Sequence, residues 1–468
     1  MVKLEEYASF DATGLAGLVA RGEVSPEELL DVALEAIGSA NDRLNAVVSL
    51  TEDRARRSLE TGIPDGPFRG VPFLVKDLGT SVEGTLTTNG CRLFAAGPAA
   101  ARDSDLVTRF RRAGLVLMGR TNTPEFGLAP ATESVLFGPA RNPHDPAFSP
   151  GGSSGGAAAA VASGMVPFAH ASDGGGSIRI PASCCGLFGL KPTRGRVSYA
   201  PERGEGWGGM STQHAVTRSV RDSAALLDAV AGPAVGDPYF AAPPSEAFLV
   251  SAARDPGTLR VGLCLSSPTG TAVDPECQAA ARSTAGRLEN LGHVVEEVQW
   301  PFGPELLAAA QSGVIGANVG ATIDARLEVL GRPMRDDDIE PVTAAIVEWG
   351  RRTSAVEYVR SLTSMHEVGR RMGEMFGTLD VLVTPTLACQ PPRIGILNGL
   401  DVSRFAQAVA PMVAFTSLVN MSGQPAMSLP LDRSAAGLPI GTQVIGRYGR
   451  EDVLLGLAGQ LERAHPWF

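Results

Sequence analysis

Two rhythms of apolar residues alternate along this chain. After Ser25-Pro26-Glu27-Glu28, a serine cap with proline in the first turn, Leu29, Leu30, Val32, Ala33 and Ile37 recur at the spacing of one helical face. A short apolar run at 71–75 reads instead as a strand. Residues 105–113 are helical in pattern and Val116-Leu117-Met118 is strand-like, so the order is strand, helix, strand. The same order returns at 260–265, 274–291 and 293–300. Helical patterns follow at 304–329 and 338–376, then a strand at 380–383. Two last strand-like runs, 426–431 and 439–445, flank Ala435-Ala436-Gly437 and suggest a hairpin. No repeat or low-complexity tract interrupts the pattern, which is that of an α/β protein with a mixed sheet.

The organisation along the chain is expected to comprise a helical region at about 1–65, a core at about 66–230 and a second half at about 258–468. Between the last two lies 232–257, rich in proline, glycine and alanine, which reads as a linker or as a surface crossing within one domain. A length of 468 residues suggests about three domains by itself, although α/β enzymes often exceed that scale.

Charge and composition narrow the partners. A formal net charge of -10 argues against nucleic acid and against an anionic membrane, and favours a small-molecule partner. The longest apolar stretch, 157–169, is interrupted by Ser163, Gly164 and Pro167 and is too short to span a bilayer. Met1-Val2-Lys3-Leu4-Glu5-Glu6 lacks the basic start and apolar core of a secretory signal, so a cytoplasmic protein is expected. The six cysteines show no C-x-x-C spacing and read as free thiols. The six histidines are scattered without ligand spacing, so no metal is indicated.

Of forty basic residues only three are lysine, and Lys76 closes the apolar run Val71-Pro72-Phe73-Leu74-Val75. Arginine keeps its proton in a protein, whereas a desolvated lysine can become a neutral base. The competing account is a plain ion pair with Asp77.

Chemistry concentrates in 149–194. Pro150-Gly151-Gly152-Ser153-Ser154-Gly155-Gly156 precedes an alanine-rich helix former, which places two serines at a helix amino terminus. A strand at 166–171 leads to Asp173-Gly174-Gly175-Gly176-Ser177. A helix of about ten residues advances ~15 Å, and a strand of about seven returns ~23 Å. With the turn between them, Ser177 comes back to the level of Ser153. The three glycines before it can turn their N–H groups into one donor nest suited to an oxyanion. A capped helix with a flexible approach is the structural alternative. Gly151-Gly152-Ser153-Ser154-Gly155 also satisfies G-x-S-x-G, but no strand precedes it and no histidine stands out as partner. Neither glycine run continues as a P-loop or a dinucleotide fingerprint.

Taken together, these stretches resemble the amidase signature family. The similarity covers 70–77, 119–127 (Gly-Arg-Thr-Asn-Thr-Pro-Glu-Phe-Gly), 141–156, 173–182, 186–193, 380–386 and 420–426, in family order through nearly the whole chain. The resemblance implies a single α/β domain whose twisted mixed sheet of about eleven strands is surrounded by helices. It also implies a Ser-cisSer-Lys triad without cofactor: Lys76 as base, Ser153 as bridging serine on a cis peptide and Ser177 as nucleophile. Gly174, Gly175, Gly176 and the Ser177 N–H would form the oxyanion hole, supported by Ser154, Asp173 and Arg179, while Lys191 would be structural. The branch most similar in 177–181, 185–192 and 217–228 contains 6-aminohexanoate cyclic dimer hydrolases and aryl acylamidases. The implied activity is hydrolysis of small, largely apolar amides or carbamates, by a monomer or homodimer. The glutamine amidotransferase branch that serves transfer RNA carries Asp-Glu-Phe-Ala-Met-Gly where this chain has Pro124-Glu125-Phe126-Gly127-Leu128-Ala129. A non-catalytic binding protein on the same fold is the alternative of another class, and it would have no use for Lys76, Ser153 and Ser177. Candidate apolar contacts to substrate are Phe137, Trp207, Met210 and Ile315.

Overall fold

A computed structural model describes residues 3–468. Eleven strands form one mixed sheet through the whole molecule. Its first half runs from the edge strand Val47–Leu50 through Val116–Thr121, Pro72–Lys76, Phe168–Asp173 and Thr212–Thr217 to Phe188–Lys191. Pro72–Lys76 lies parallel to both its neighbours, with Leu74 opposite Gly119 on one side and Ala169 on the other. The second half continues through Ala426–Arg433, Pro439–Gly446, Val381–Pro385 and Arg260–Leu263 to Val294–Glu297. The halves join where Ala426, Met427 and Ser428 pair antiparallel with Lys191, Leu190 and Gly189. This is a single α/β domain, as the resemblance implies. The segment 232–257 crosses its surface: Ala241 N–H donates to Gly195 O, and the Phe248 ring lies under the Arg196 guanidinium.

Local sequence explains the elements that carry the site. The helix Pro26–Leu44 starts with a capping box in which Ser25 and Glu28 satisfy each other's backbone donors. The strands Pro72–Lys76 and Val116–Thr121 are buried along their whole length, on both faces of the sheet. The hairpin of Ala426–Arg433 and Pro439–Gly446 forms as the pattern predicts.

The two long helical patterns of the second half differ from expectation, since each breaks in two. The first splits into Pro304–Gln311 and Val314–Leu330 at Gly313, whose left-handed φ of 72° ends one helix and opens the next. The second splits into Pro341–Arg352 and Ala355–Met375, where Ser354 caps the new helix with Glu357. Hydrophobic spacing carries across both breaks, so periodicity alone could not see them. By length and composition, 304–330 would suffice to cross a membrane. The break at Gly313 and the packing of Leu307, Ala310 and Val314 into an internal cluster account for its apolar character.

Candidate active site

Lys76 ends its strand, the third from one sheet edge, and is fully buried. Its Nζ lies 2.7 Å from Ser153 Oγ, 2.9 Å from Ser154 Oγ and 3.1 Å from Ser172 Oγ. Three hydroxyls suit either protonation state, since each can donate to a neutral amine or accept from an ammonium. Burial pulls the Lys76 pKa down to about 7, and the more distant Asp173 charge opposes that shift. The ion-pair account fails: the Asp77 carboxylate is taken up by the Thr88 N–H and hydroxyl. Beneath the lysine, its own backbone N–H donates to His170 Nδ1 at 3.2 Å. Burial keeps that imidazole neutral, with a pKa of about 3.

The glycine turn before the helix Gly155–Ala162 delivers Ser153. Gly151 and Gly152 are both left-handed, with φ of 74° and 58°, and a Cβ on Gly152 would stand 2.4 Å from Pro181 Cδ. The peptide joining Gly152 to Ser153 is trans, against the cis form that the resemblance implies; among the described residues the only cis bond is Ala200–Pro201. Two consecutive left-handed glycines turn the chain sharply enough without a cis bond. In this arrangement the Ser153 N–H donates to Ser177 Oγ at 3.2 Å, while the Ser153 hydroxyl is held by Lys76. No direct hydrogen bond between the two hydroxyls is present among the described residues.

Ser177 follows the strand Phe168–Asp173 and the three glycines. The Asp173 carboxylate organises this turn. It accepts from Gly176 N–H at 2.7 Å, Ile178 N–H at 3.1 Å, and the Arg179 guanidinium through Nε at 3.0 Å and Nη2 at 2.8 Å. Asn420 adds a bond to Asp173 Oδ1 at 2.8 Å. Burial pushes the Asp173 carboxyl upward, but Arg179, Lys191 and Asn420 together hold it well below the usual carboxylate range. One correction follows: the Gly176 N–H serves Asp173 and is not free for an oxyanion. The N–H groups of Gly174, Gly175 and Ser177 have no protein acceptor among the described residues. Lys191, pulled to about 7 chiefly by burial, donates to Pro192 O and stands outside the hydroxyl cluster.

Two cavities meet at Ser177. A smaller one of about 80 Å³ has Ser153, Ser172, Tyr199, Arg203, Ser211 and Gln213 in its wall. A larger apolar one of about 430 Å³ is walled by Leu128, Ile180, Ile315, Trp349, Phe405 and Val409 among others. Trp207 lines both and Ile315 lines the larger. Phe137 and Met210 line neither. Phe137 sits in the turn between the short strands Glu133–Ser134 and Gly138–Pro139, its carbonyl accepting from Asn45. Met210 is buried against Val314 and Leu418, and its carbonyl accepts from Asn420. An apolar side chain in the core, as Met210, or in a half-buried turn, as Phe137, has the same sequence signature as one facing a pocket. Ser172, by contrast, carries no motif signal; only strand register places it beside Lys76.

Comparison with known proteins accords with this arrangement. The amidase family model matches residues 28–455. The 6-aminohexanoate-cyclic-dimer hydrolase of Paenarthrobacter ureafaciens is 40% identical over 471 residues, covering 98% of this chain and 95% of that protein. A solved 6-aminohexanoate cyclic dimer hydrolase superposes with a TM-score of 0.94 at 39% identity, covering 100% of this chain and 98% of that one. A bacterial aryl acylamidase of the amidase signature family gives 0.88 at 30%, covering 98% and 96%. With its fold, its signature turns and these relatives in agreement, the chain belongs to the amidase signature family and is an amidohydrolase.

Proposed function

We propose that this protein hydrolyses small, largely apolar amides, including anilides, nylon-type oligomers and carbamates, with Ser177 as nucleophile and Lys76 as base acting through Ser153. The observation that carries this reading is a buried lysine, its pKa drawn down to about 7, that holds the hydroxyl of Ser153, whose N–H in turn reaches a serine opening on an apolar cavity.

The reaction follows from the groups present. Lys76 takes the proton of Ser153, and Ser153 takes that of Ser177 as substrate draws the two hydroxyls together; catalytic hydrogen bonds are often long before substrate binds. The Ser153 N–H, already on Ser177 Oγ, stabilises the alkoxide as it forms. Ser177 attacks the carbonyl carbon, and the oxyanion meets the N–H groups of Gly174, Gly175 and Ser177, one such donor being worth about 3 kcal/mol. The C–N bond then breaks as the nitrogen receives the relayed proton. Water hydrolyses the resulting ester by the same relay, which restores Ser177.

Ser177→Ala is expected to lower kcat by about a thousandfold or more with unchanged thermal unfolding. Activity equal to wild type would remove Ser177 from the mechanism and favour a binding role for the fold. A panel of a nitroanilide, a primary amide, glutamine, a cyclic amide dimer and an aryl carbamate ranks the substrates. Glutamine at the head of that panel would overturn the substrate class.

A further inference from the structure

Only one of the two cavities at Ser177 touches the hydroxyls that hold Lys76. Ser153 and Ser172 lie in the wall of the smaller cavity and are absent from that of the larger. An amide nitrogen must gain a proton to leave as an amine, so the C–N bond has to point toward Ser153 when it breaks. The substituent on the carbonyl carbon then points the other way, into the apolar cavity.

Trp207 stands between the two. With Gly127, Gly174 and Ser177 it borders both cavities. Its backbone is left-handed, with φ of 52°, a rare conformation for a bulky residue and one that packing must enforce. The indole lies so close to Gly174 that a Cβ there would be 2.7 Å from its Cε3 and Cζ3. The nucleophile thus sits in a doorway whose partition is an aromatic ring.

The outer wall of the smaller cavity carries a charge with no counterpart. Arg203 is exposed, and among the described residues its guanidinium makes no ion pair and no side-chain hydrogen bond. Of the acidic groups in the surrounding segments, Glu205 bonds the Tyr239 hydroxyl, Asp77 bonds Thr88 and Asp173 bonds Arg179, while Glu202, next in the chain, is exposed and, among the described residues, makes no ion pair with Arg203. Tyr199, Ser211 and Gln213 add polar groups to a wall that also includes Leu78, Phe126 and Val319.

We infer that the leaving amine occupies the smaller chamber and that Arg203 selects amines bearing a carboxylate, so that preferred substrates are apolar acyl amides of amino carboxylic acids. This rests on Ser177 as nucleophile. In the first half-reaction the Ser177 Oγ–carbon bond forms and the C–N bond breaks. The nitrogen takes one proton from Ser153 and departs as the free amino acid, its carboxylate against Arg203. Water then cleaves the ester, releasing the apolar acid and returning the proton to Ser177.

The test uses the full chain and a set of 4-phenylbutanoyl amides whose amine part is glycine, 4-aminobutanoate, 6-aminohexanoate or uncharged hexylamine. A reversed compound, the adipic monoamide of 4-phenylbutylamine, carries the carboxylate on the acyl side. Wild type is expected to favour the best carboxylate amine over hexylamine by about tenfold in kcat/KM, the scale of one charge-assisted contact, and to handle the reversed compound worst. Arg203→Gln should bring that ratio close to one, and Arg203→Lys should keep part of it. Mass measurement of acid-quenched enzyme should find phenylbutanoyl on Ser177. A wild-type ratio at or below one, a ratio unaltered in Arg203→Gln, or preference for the reversed compound would overturn the inference while leaving Ser177 chemistry intact. Hydrolysis of the hexylamine amide by Ser177→Ala, or of no compound by wild type, would defeat the underlying reading and this inference with it.

Discussion

On the proposed mechanism, Lys76 combines a cost to folding with a use in catalysis. Its ammonium would be stranded among three serines, so burial lowers its folded pKa to about 7 from the ordinary 10.5. Only the neutral form can accept a proton, so kcat/KM should rise with pH along an acid limb centred near 7. Lys76→Arg should be as damaging as Lys76→Ala, since arginine restores charge and not basicity; an arginine variant with most of the activity would make Lys76 a structural cation. The stability consequence has a definite sign. Between about pH 7 and 10.5 the unfolded chain holds a proton on Lys76 that the folded chain lacks, so stability rises with pH across that window, and the full cost is present below it. Melting curves from pH 6.5 to 9.5 should therefore rise less steeply in Lys76→Met than in wild type, with Lys191 contributing the remaining slope through its own pKa of about 7. This lysine was legible in the sequence because a rare residue type closed an apolar run. Ser172 was not, because a serine becomes a partner only through the strand register that aims it.

Among the elements, the turn from Asp173 to Arg179 is held by its charges. Arg179 and Asp173 are both fully buried, and the guanidinium also reaches Thr416 O, Gln443 Oε1 and Asn420 Oδ1. One arginine therefore ties the turn bearing Ser177 to the second half of the chain. Arg179→Met should cost about 3–5 kcal/mol, because it leaves Asp173 buried without a cation. Chemical denaturation would measure that loss; a loss under 1 kcal/mol would mean that Asn420 and the backbone donors suffice. Legibility at this scale follows the range of the signal. The capped helix Pro26–Leu44 and the terminal hairpin are set by neighbouring residues and were readable. The breaks at Gly313 and Ser354 left hydrophobic spacing undisturbed and were not. The shape of the Ser153 turn was inferred from family resemblance as cis, whereas Gly151 and Gly152 accomplish it with a trans bond.

For the molecule as a whole, the sheet divides labour between its halves. The hydroxyl cluster and Ser177 come entirely from the first, with Lys76, Ser153 and Ser154 buried and Ser172 and Ser177 half-buried at the cavities. The far wall of the larger cavity comes from the second, on the helices Pro304–Gln311, Val314–Leu330, Pro341–Arg352 and Val402–Val413. On the proposed mechanism, reaction chemistry and acyl-group choice are carried by different parts of one fold, joined through the Arg179 contacts, and the cavity wall can change at positions away from those contacts. Val409 tests this division. It faces the larger cavity from the helix Val402–Val413 and packs in an apolar cluster with residues such as Phe405 and Met412. Replacing it with tryptophan would fill part of the roughly 430 Å³ that an acyl group needs. Val409→Trp should reduce kcat/KM for 4-phenylbutanoyl amides by about tenfold or more, equivalent to about 1.4 kcal/mol, and should affect acetyl amides of the same amine far less. The acid limb near pH 7 should stay in place for both. Equal losses on both acyl groups, or a displaced acid limb, would mean that the cavity and the proton relay are coupled and that the division between the halves does not hold.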